Sequence, residues 1–300
     1  RLFSQSLVQA CKNRMSEYDL IAACWTTAGA CTPLGKDDRS PLSINERVEA
    51  AASAGFTGFG IRYRDLMTVE HNLGFKGFRM LLENNGIKHV ELEFLEDWYA
   101  EGTDREKSDL QRRDLLRASE ILGARHIKVG GHLAGGELDF NKVVDEFIQL
   151  ADEAEAAGTR VALEPMPFAD IKTPQMGLEI VKAAGQTAGG LLVDIWHVAR
   201  ASVDFVSLAS LPIENIFAVE LDDADAEIKG TLLEDTVNER RFPGEGVLNV
   251  QAFVDEIKKI GYRGPWGVEM LSTEFRKLPL AIAAQRAYDT SIRFLNNKVS

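Results

Sequence analysis

The chain has 300 residues, 45% of them apolar and 27% charged, enough to bury a large core, which excludes a disordered or fibrous polymer. Acidic residues outnumber basic ones 46 to 34 for a formal charge of -12, and the lysines and arginines are scattered among carboxylates, so a nucleic-acid backbone is a poor partner. No apolar run reaches the roughly 18 residues of a membrane span and the opening RLFSQSLVQACKNRM has no signal-peptide core, so no membrane partner and a cytoplasmic location are expected.

In chain order, residues 1–19 are expected to form an extra N-terminal helix and residues 20–300 a single (β/α)8 barrel of the TIM type. LIAACW supplies the first strand. Cys11, Cys24 and Cys31 lie around it without the paired spacing of a zinc site, and their odd number makes a poor disulfide framework, so a reducing compartment is expected. One phrase then recurs: a stretch of helical periodicity, a glycine, and a short strand rich in Val, Ile and Phe. It reads AAASAGFTGFGI, MLLENNGIKHVELEF, ASEILGARHIKVG, EAEAAGTRVALEP, VKAAGQTAGGLLVDI and EIKKIGYRGPWGVEM. Gly55, Gly86, Gly123, Gly158, Gly185 and Gly261 suit the left-handed position that ends a helix, and Ser43 followed by Glu46 is a capping-box signature. NIFAVELDD precedes the last phrase and brings the count to eight strands, each followed by a helical segment. Such alternation implies a parallel sheet, and the length is that of a closed barrel. An open doubly wound sheet would need a Gly-rich phosphate loop after an early strand, which LIAACWTTAG lacks, so no nucleotide cofactor is expected.

In a closed barrel the active site lies where strands end. The fifth strand, RVALEP, ends in Glu164; the sixth, GLLVDIWH, ends in Asp194 with His197 three residues on. The seventh, IFAVELDD, carries Glu220 and Asp222, and the eighth, PWGVEM, carries Glu269. Alternation along a strand puts Glu164 on the face of Ala162, Asp194 on that of Leu192, Glu220 on that of Ala218 and Glu269 on that of Gly267, a set that suits an inward layer. Four carboxylates aimed at one axis repel one another strongly unless a cation neutralises them. Oxygen-only ligands favour a hard ion, Mn²⁺ first and Mg²⁺ next, over Zn²⁺. His132, after the two glycines of HIKVGGH, is placed either as a general base that substrate can approach closely or as the cap of the following helix. Glu93 alternates inward with Glu91 and could bond a polyol. Trp25 at the end of the first strand could floor the pocket, with Trp98 and Trp196 as walls.

The segments ALEP, VDIWH, VELDDAD, RRFPGEG and GVEM resemble the xylose isomerase-like superfamily of barrels, which holds sugar isomerases, epimerases, dehydratases and an apurinic endonuclease branch. The resemblance implies metal ligands at Glu164, Asp194, residue 220 and Glu269. The seventh-strand ligand is commonly His, whereas this chain has Glu220. Glu220 is then a ligand, or a base behind the ligands, or its place is taken by His197 or Asp222. The resemblance also puts His197 beside the substrate and Arg240 or Arg241, with Arg241 favoured, on substrate oxygens. It implies proton abstraction α to a carbonyl on a small sugar-like substrate, with Glu164 and Glu269 as acid and base. ELDDAD and WTTAG narrow the likeness to the catalytic subunits of C-glycoside deglycosidases. That narrower likeness implies a lyase that eliminates the aglycone from a 3-oxo sugar, with His132 taking the C2 proton, a small β-rich partner subunit and an oligomeric assembly. A sugar isomerase or epimerase is the alternative, and a non-catalytic barrel subunit without stoichiometric metal the third reading. The apurinic endonuclease branch needs a trinuclear zinc cluster rich in His, whereas of the five histidines present His71, His89 and His126 are not at the expected strand ends, and this acidic a chain binds DNA poorly.

Overall fold

Six glycines set the frame. Gly55, Gly86, Gly123, Gly158, Gly185 and Gly261 all adopt left-handed backbone, with φ between 65° and 113°, a region closed to most side chains. Each turns the chain from a helix into the next strand. In a computed structural model, which describes residues 17–297, eight parallel strands close into a barrel.

The barrel strands are β1 (Leu20–Ala22), β2 (Gly58–Arg62), β3 (His89–Leu95), β4 (His126–Gly130), β5 (Val161–Glu164), β6 (Gly189–Asp194), β7 (Ile216–Leu221) and β10 (Trp266–Val268). A separate antiparallel pair, β8 (Asp223–Ala224) and β9 (Arg240–Arg241), rises above the end of β7. The helices are α1 (Ile44–Ala54), α2 (Tyr63–Asn84), α3 (Gly102–Leu122), α4 (Phe140–Ala156), α5 (Pro174–Ala184), α6 (Ile195–Arg200), α7 (Leu232–Asn238), α8 (Val250–Ile260) and α9 (Leu280–Asn296). The capping box at Ser43 is formed: its hydroxyl accepts from Glu46 N, and the Glu46 side chain accepts from Ser43 N, which satisfies two helix-end donors at once. The N-terminal helix expected before residue 20 falls on residues 1–16, outside the described residues, as does Cys11; Glu17, Tyr18 and Asp19 are not helical. The repeat departs from regularity after β1, where the short 3-10 turn Cys24–Thr27 precedes a long loop to α1. Among the described residues no helix is long and apolar enough to cross a membrane.

The main core lies between the barrel and its helices, where Phe78, Leu115, Phe147, Phe253 and Ile257 are wholly buried. Each such side chain contributes about 1.5–3 kcal/mol by leaving water. The barrel interior differs. Ala162, Leu192 and Ala218 form a small apolar cluster there, but β3 and β4 send Glu91, Glu93, His126 and Lys128 inward, and all four are buried. A polar interior to a barrel is costly unless its charges meet, and above the apolar cluster they do.

Candidate metal and active site

The inward residues at the ends of β5, β6 and β7, with the one just past β10, are Glu164, Asp194, Glu220 and Glu269. Each offers a carboxylate oxygen, and these oxygens all lie within 4.8 Å of one another. The strand register brings them together: Gly130 pairs with Glu164, Asp194 with Glu220, and Glu220 with Gly267. A side chain at position 267 would not fit, since its Cβ would stand 2.6 Å from Glu220 Cγ. Asp194 also caps α6, accepting from His197 N at 3.0 Å, and this turn lays the imidazole beside Glu164, Nε2 to Oε1 3.5 Å.

Two buried cations enter this ring. Lys128, on β4, donates to both oxygens of Glu220 at 2.8 and 3.0 Å and to Glu269 at 3.1 Å, with Glu93 at 3.3 Å. Arg240, on β9, bonds Asp194 at 2.8 Å and Asp222, and lies 3.2 Å from Glu269. Thr236 of α7 accepts from its guanidinium, and Leu271 O from its backbone N–H. The β8–β9 pair is itself anchored by Asp223, whose carboxylate accepts from the backbone of Gly244, Gly246 and Leu248. The PGEG turn is thus wrapped around one buried carboxylate.

Burial dominates the electrostatics. It pushes the Glu164 carboxyl up to about 8 and the Glu220 and Asp222 carboxyls well above the ordinary range. Asp194 and Glu269 meet the same burial, yet Arg240 and His197 for the one, and Lys128 and Arg240 for the other, hold them low. For His197 burial wins and lowers the imidazole to about 4, so it is neutral at pH 7. Lys128 stays charged because Glu164, Glu220, Glu269 and Glu93 together outweigh its desolvation. A ring with six carboxylates (Glu93, Glu164, Asp194, Glu220, Asp222 and Glu269) and only two cations retains excess negative charge. Glu164 Oε1 and His197 Nδ1 are buried without a hydrogen-bond partner, as expected of groups that await an ion or ligand. This donor set fits a divalent metal.

Glu164 and Glu269 of the ring, with Lys128, line a cavity of about 150 Å³ whose walls include Trp25, Leu34, Phe94, Met166, Phe168 and Leu271. Trp25, Glu93, His197 and Arg240 also line this cavity. Trp25 belongs to the 3-10 turn Cys24–Thr27, clipped to β10 by Thr26, which donates to Val268 O and accepts from Met270 N. A larger surface hollow of about 640 Å³ between α1 and α2 gathers no comparable set of converging charges.

Three expectations change. His132 lies outside the cavity: its side chain is 54% exposed and faces Asp97 at 3.6 Å. Its backbone N–H is taken by Asp170 and Tyr99, which turns the imidazole to solvent. The glycines before it admit protein instead of substrate, since a Cβ at Gly131 would meet Asp170 Oδ1 at 2.4 Å and one at Gly130 would meet Met166 and Phe94. Arg241, the favoured arginine, pairs with Asp225 at 2.6 Å and is partly exposed; Arg240 takes the buried position. Trp98 and Trp196 are core residues: Trp98 donates to Gly130 O, and Trp196 packs edge-on against His197. Lys128 was missed. The signal was its parity in HIKVG, where it shares an inward face with His126 and Gly130.

Comparison with known proteins agrees with this architecture. A family profile described as xylose isomerase-like TIM barrel matches residues 48–298. A 3-dehydroshikimate dehydratase of Pseudomonas aeruginosa is 29% identical over 245 residues, 79% of this chain and 37% of that protein. An inosose isomerase of Bacillus subtilis is 29% identical over 151 residues, 50% of this chain and 53% of that protein. The chain therefore spans little more than a third of the dehydratase and about half of the isomerase. Among solved structures, the IOLI protein with a bound zinc atom superposes with a TM-score of 0.80 at 20% identity, over 92% of this chain and 98% of that one. A xylose isomerase-like barrel fused to a 4-hydroxyphenylpyruvate dioxygenase superposes at 0.77 with 24% identity, over 93% and 44%; at these identities the likeness is one of fold. The extent of the profile match, with the closed barrel and its carboxylate ring, places the chain in the xylose isomerase-like TIM barrel family.

Proposed function

We propose that the protein is a divalent-metal-dependent lyase that acts on an oxidised sugar, removing the proton α to its oxo group and expelling a β substituent. The observation that carries this reading is the ring of four carboxylate oxygens within 4.8 Å, of which Glu164 and Glu269 open onto a small cavity. Glu164, Asp194, Glu269 and, in the simplest reading, Glu220 hold the ion, Mn²⁺ before Mg²⁺. When bound, such an ion polarises the oxo group and stabilises the negative charge left as the proton departs.

The remaining work falls to the chain. Neutral His197 presents a ring nitrogen to substrate hydroxyls. Arg240 holds Asp194, Asp222 and Glu269 in place. With His132 outside the cavity, the α proton passes to Glu164, whose Oε1 accepts no hydrogen bond. The electron pair of the broken C–H bond forms the new C=C bond as the substituent leaves from the β carbon, and the leaving group takes up the proton that Glu164 received, with Glu269, held ionised by Lys128 and Arg240, beside it. Trp25 and Phe168 exclude water from the face above. The dehydratase relatives support elimination. The inosose isomerase relatives support a second reading, in which the same proton returns to the neighbouring carbon and the product is an isomerised or epimerised keto sugar.

Within the lyase reading, the strand-seven sequence ELDDAD favours a 3-oxo glycoside as substrate, an aglycone as leaving group and a small β-rich partner subunit in an oligomer. The test is incubation of Mn²⁺-loaded protein with a 3-oxo-C-glucoside, with and without a co-encoded small subunit, and in parallel with 3-dehydroshikimate. Release of aglycone is the expected result. Conversion of 3-dehydroshikimate alone would reassign the leaving group to water, and conversion of keto sugars to their isomers alone would favour the second reading. If purified protein binds no stoichiometric metal by elemental analysis and converts none of these, the metal-dependent reading is wrong and a binding barrel remains.

A further inference from the structure

Lys128 bears on how the ring holds its metal. An ammonium has three N–H donors, and the Lys128 hydrogen bonds run to both oxygens of Glu220 at 2.8 and 3.0 Å and to Glu269 at 3.1 Å, with Glu93 a further ion-pair contact at 3.3 Å. Glu93 is fixed in turn by Cys24 N, which donates to its Oε1 at 3.0 Å. Glu164, 4.0 Å from the ammonium, lies beyond hydrogen-bond reach. The Lys128 side chain is 2% exposed and springs from the middle of β4, so if an ion takes its partners only the small cavity it borders is left to its ammonium. Stripping a buried ammonium of its partners costs several kcal/mol.

An ion bound by all four ring carboxylates would have to share a Glu220 oxygen with the ammonium or displace it, because Glu220 has both oxygens on Lys128. Glu164, Asp194 and Glu269 are differently placed. Glu164 Oε1 accepts no hydrogen bond, and Asp194 and Glu269 each divide their two oxygens between different donors. His197 Nε2 lies on the same side, 3.5 Å from Glu164 Oε1, and groups with Glu164 and Asp194 as an alternative ligand set.

We propose that Lys128 reserves Glu220, so that the divalent ion is held by Glu164, Asp194 and Glu269, and Glu220 serves as a positioning residue whose charge is spent on the lysine. This rests on the metal-dependent reading above and refines it. It makes Lys128 the fixed counter-ion of the ring, present whether or not metal is bound.

The experiment is a double-mutant cycle on Mn²⁺ affinity, measured by titration calorimetry of chelator-stripped wild type, Glu220→Gln, Lys128→Met and the double variant. Through-space charge alone makes the two substitutions nearly additive, whereas release of Glu220 to the metal makes them strongly coupled. The expected result is that Glu220→Gln weakens Mn²⁺ binding at least about tenfold more in the Lys128→Met background than with Lys128 present. Equal loss in both backgrounds overturns the proposal. Should Lys128→Met not fold, the anomalous signal of Mn²⁺ in wild-type crystals decides: a Glu220 oxygen within about 2.5 Å of the ion overturns it, and a Glu220 still on Lys128 upholds it. Failure of wild type to bind Mn²⁺ is a different outcome; it removes the metal-dependent reading and this refinement together.

Discussion

Glu91 lies inside the barrel below the metal ring, 3% exposed, with Oε1 3.5 Å from His126 Nε2 and Oε2 without a partner. Burial pushes its carboxyl from the ordinary 4.5 up to about 7. A carboxyl raised on folding binds a proton in the native state that the unfolded chain has already lost. Its favourable contribution is therefore intact below pH 4.5 and disappears as pH rises through 7. At roughly 1.4 kcal/mol per pH unit the loss approaches about 3 kcal/mol at pH 8. Glu91→Gln keeps the shape and removes the ionisation. The variant should therefore gain up to about 3 kcal/mol on wild type at pH 8, less the cost of fitting the amide, and nothing at pH 4.5. Urea unfolding of both proteins across this range measures the difference. A difference that does not change with pH would refute the reasoning.

Three more outcomes follow from the same geometry. Arg240→Ala should cost about 3–5 kcal/mol in chemical unfolding, because it leaves Asp194 and Asp222 buried without their cation, whereas Arg241→Ala, which breaks a partly exposed pair with Asp225, should cost under about 1 kcal/mol. In chelator-treated protein, the stability of wild type relative to His197→Asn should fall by up to about 3 kcal/mol as pH drops from 6.5 toward 4, because the unfolded chain protonates a histidine that burial keeps neutral at position 197; a difference that stays constant over this range would contradict it. Gly267→Ala should destabilise by about 1–3 kcal/mol through overpacking and lower activity with it, since the new methyl would displace Glu220; wild-type activity and melting temperature would contradict the tight approach.

The carboxylate ring could be found in the sequence because strand alternation and strand ends are local properties. Glu164, Asp194 and Glu269 each follow a short apolar run whose parity fixes their direction. Lys128 obeys the same parity, but a lysine suggests a solvated surface until its partners are known, and they come from three other strands, 35 to 141 residues away. The choice between Arg240 and Arg241 was not available locally either. The two are neighbours in a two-residue strand, so one must face in and the other out, and only the pairing of Ala224 with Arg240 says which. His132 was misplaced for a related reason. It lies two residues past the end of β4, where alternation no longer applies and where Asp170 and Tyr99, remote in sequence, decide the direction of the chain.

The cavity walls have a consequence for the order in which a ligand meets the protein. Trp25, Leu34, Phe94, Phe168 and Leu271 stand around a floor of paired charges. A sugar approaching this mouth meets that apolar surface beside the charged side chains of Arg62 and Glu96. Arrival is therefore slower for a heavily hydrated polyol than for one with an apolar substituent that can rest against Trp25 or Phe168 while the oxo end goes down first. Selectivity of that kind appears in the rate of capture, so substrates with identical reacting ends but different tails should separate in kcat/KM more than in kcat.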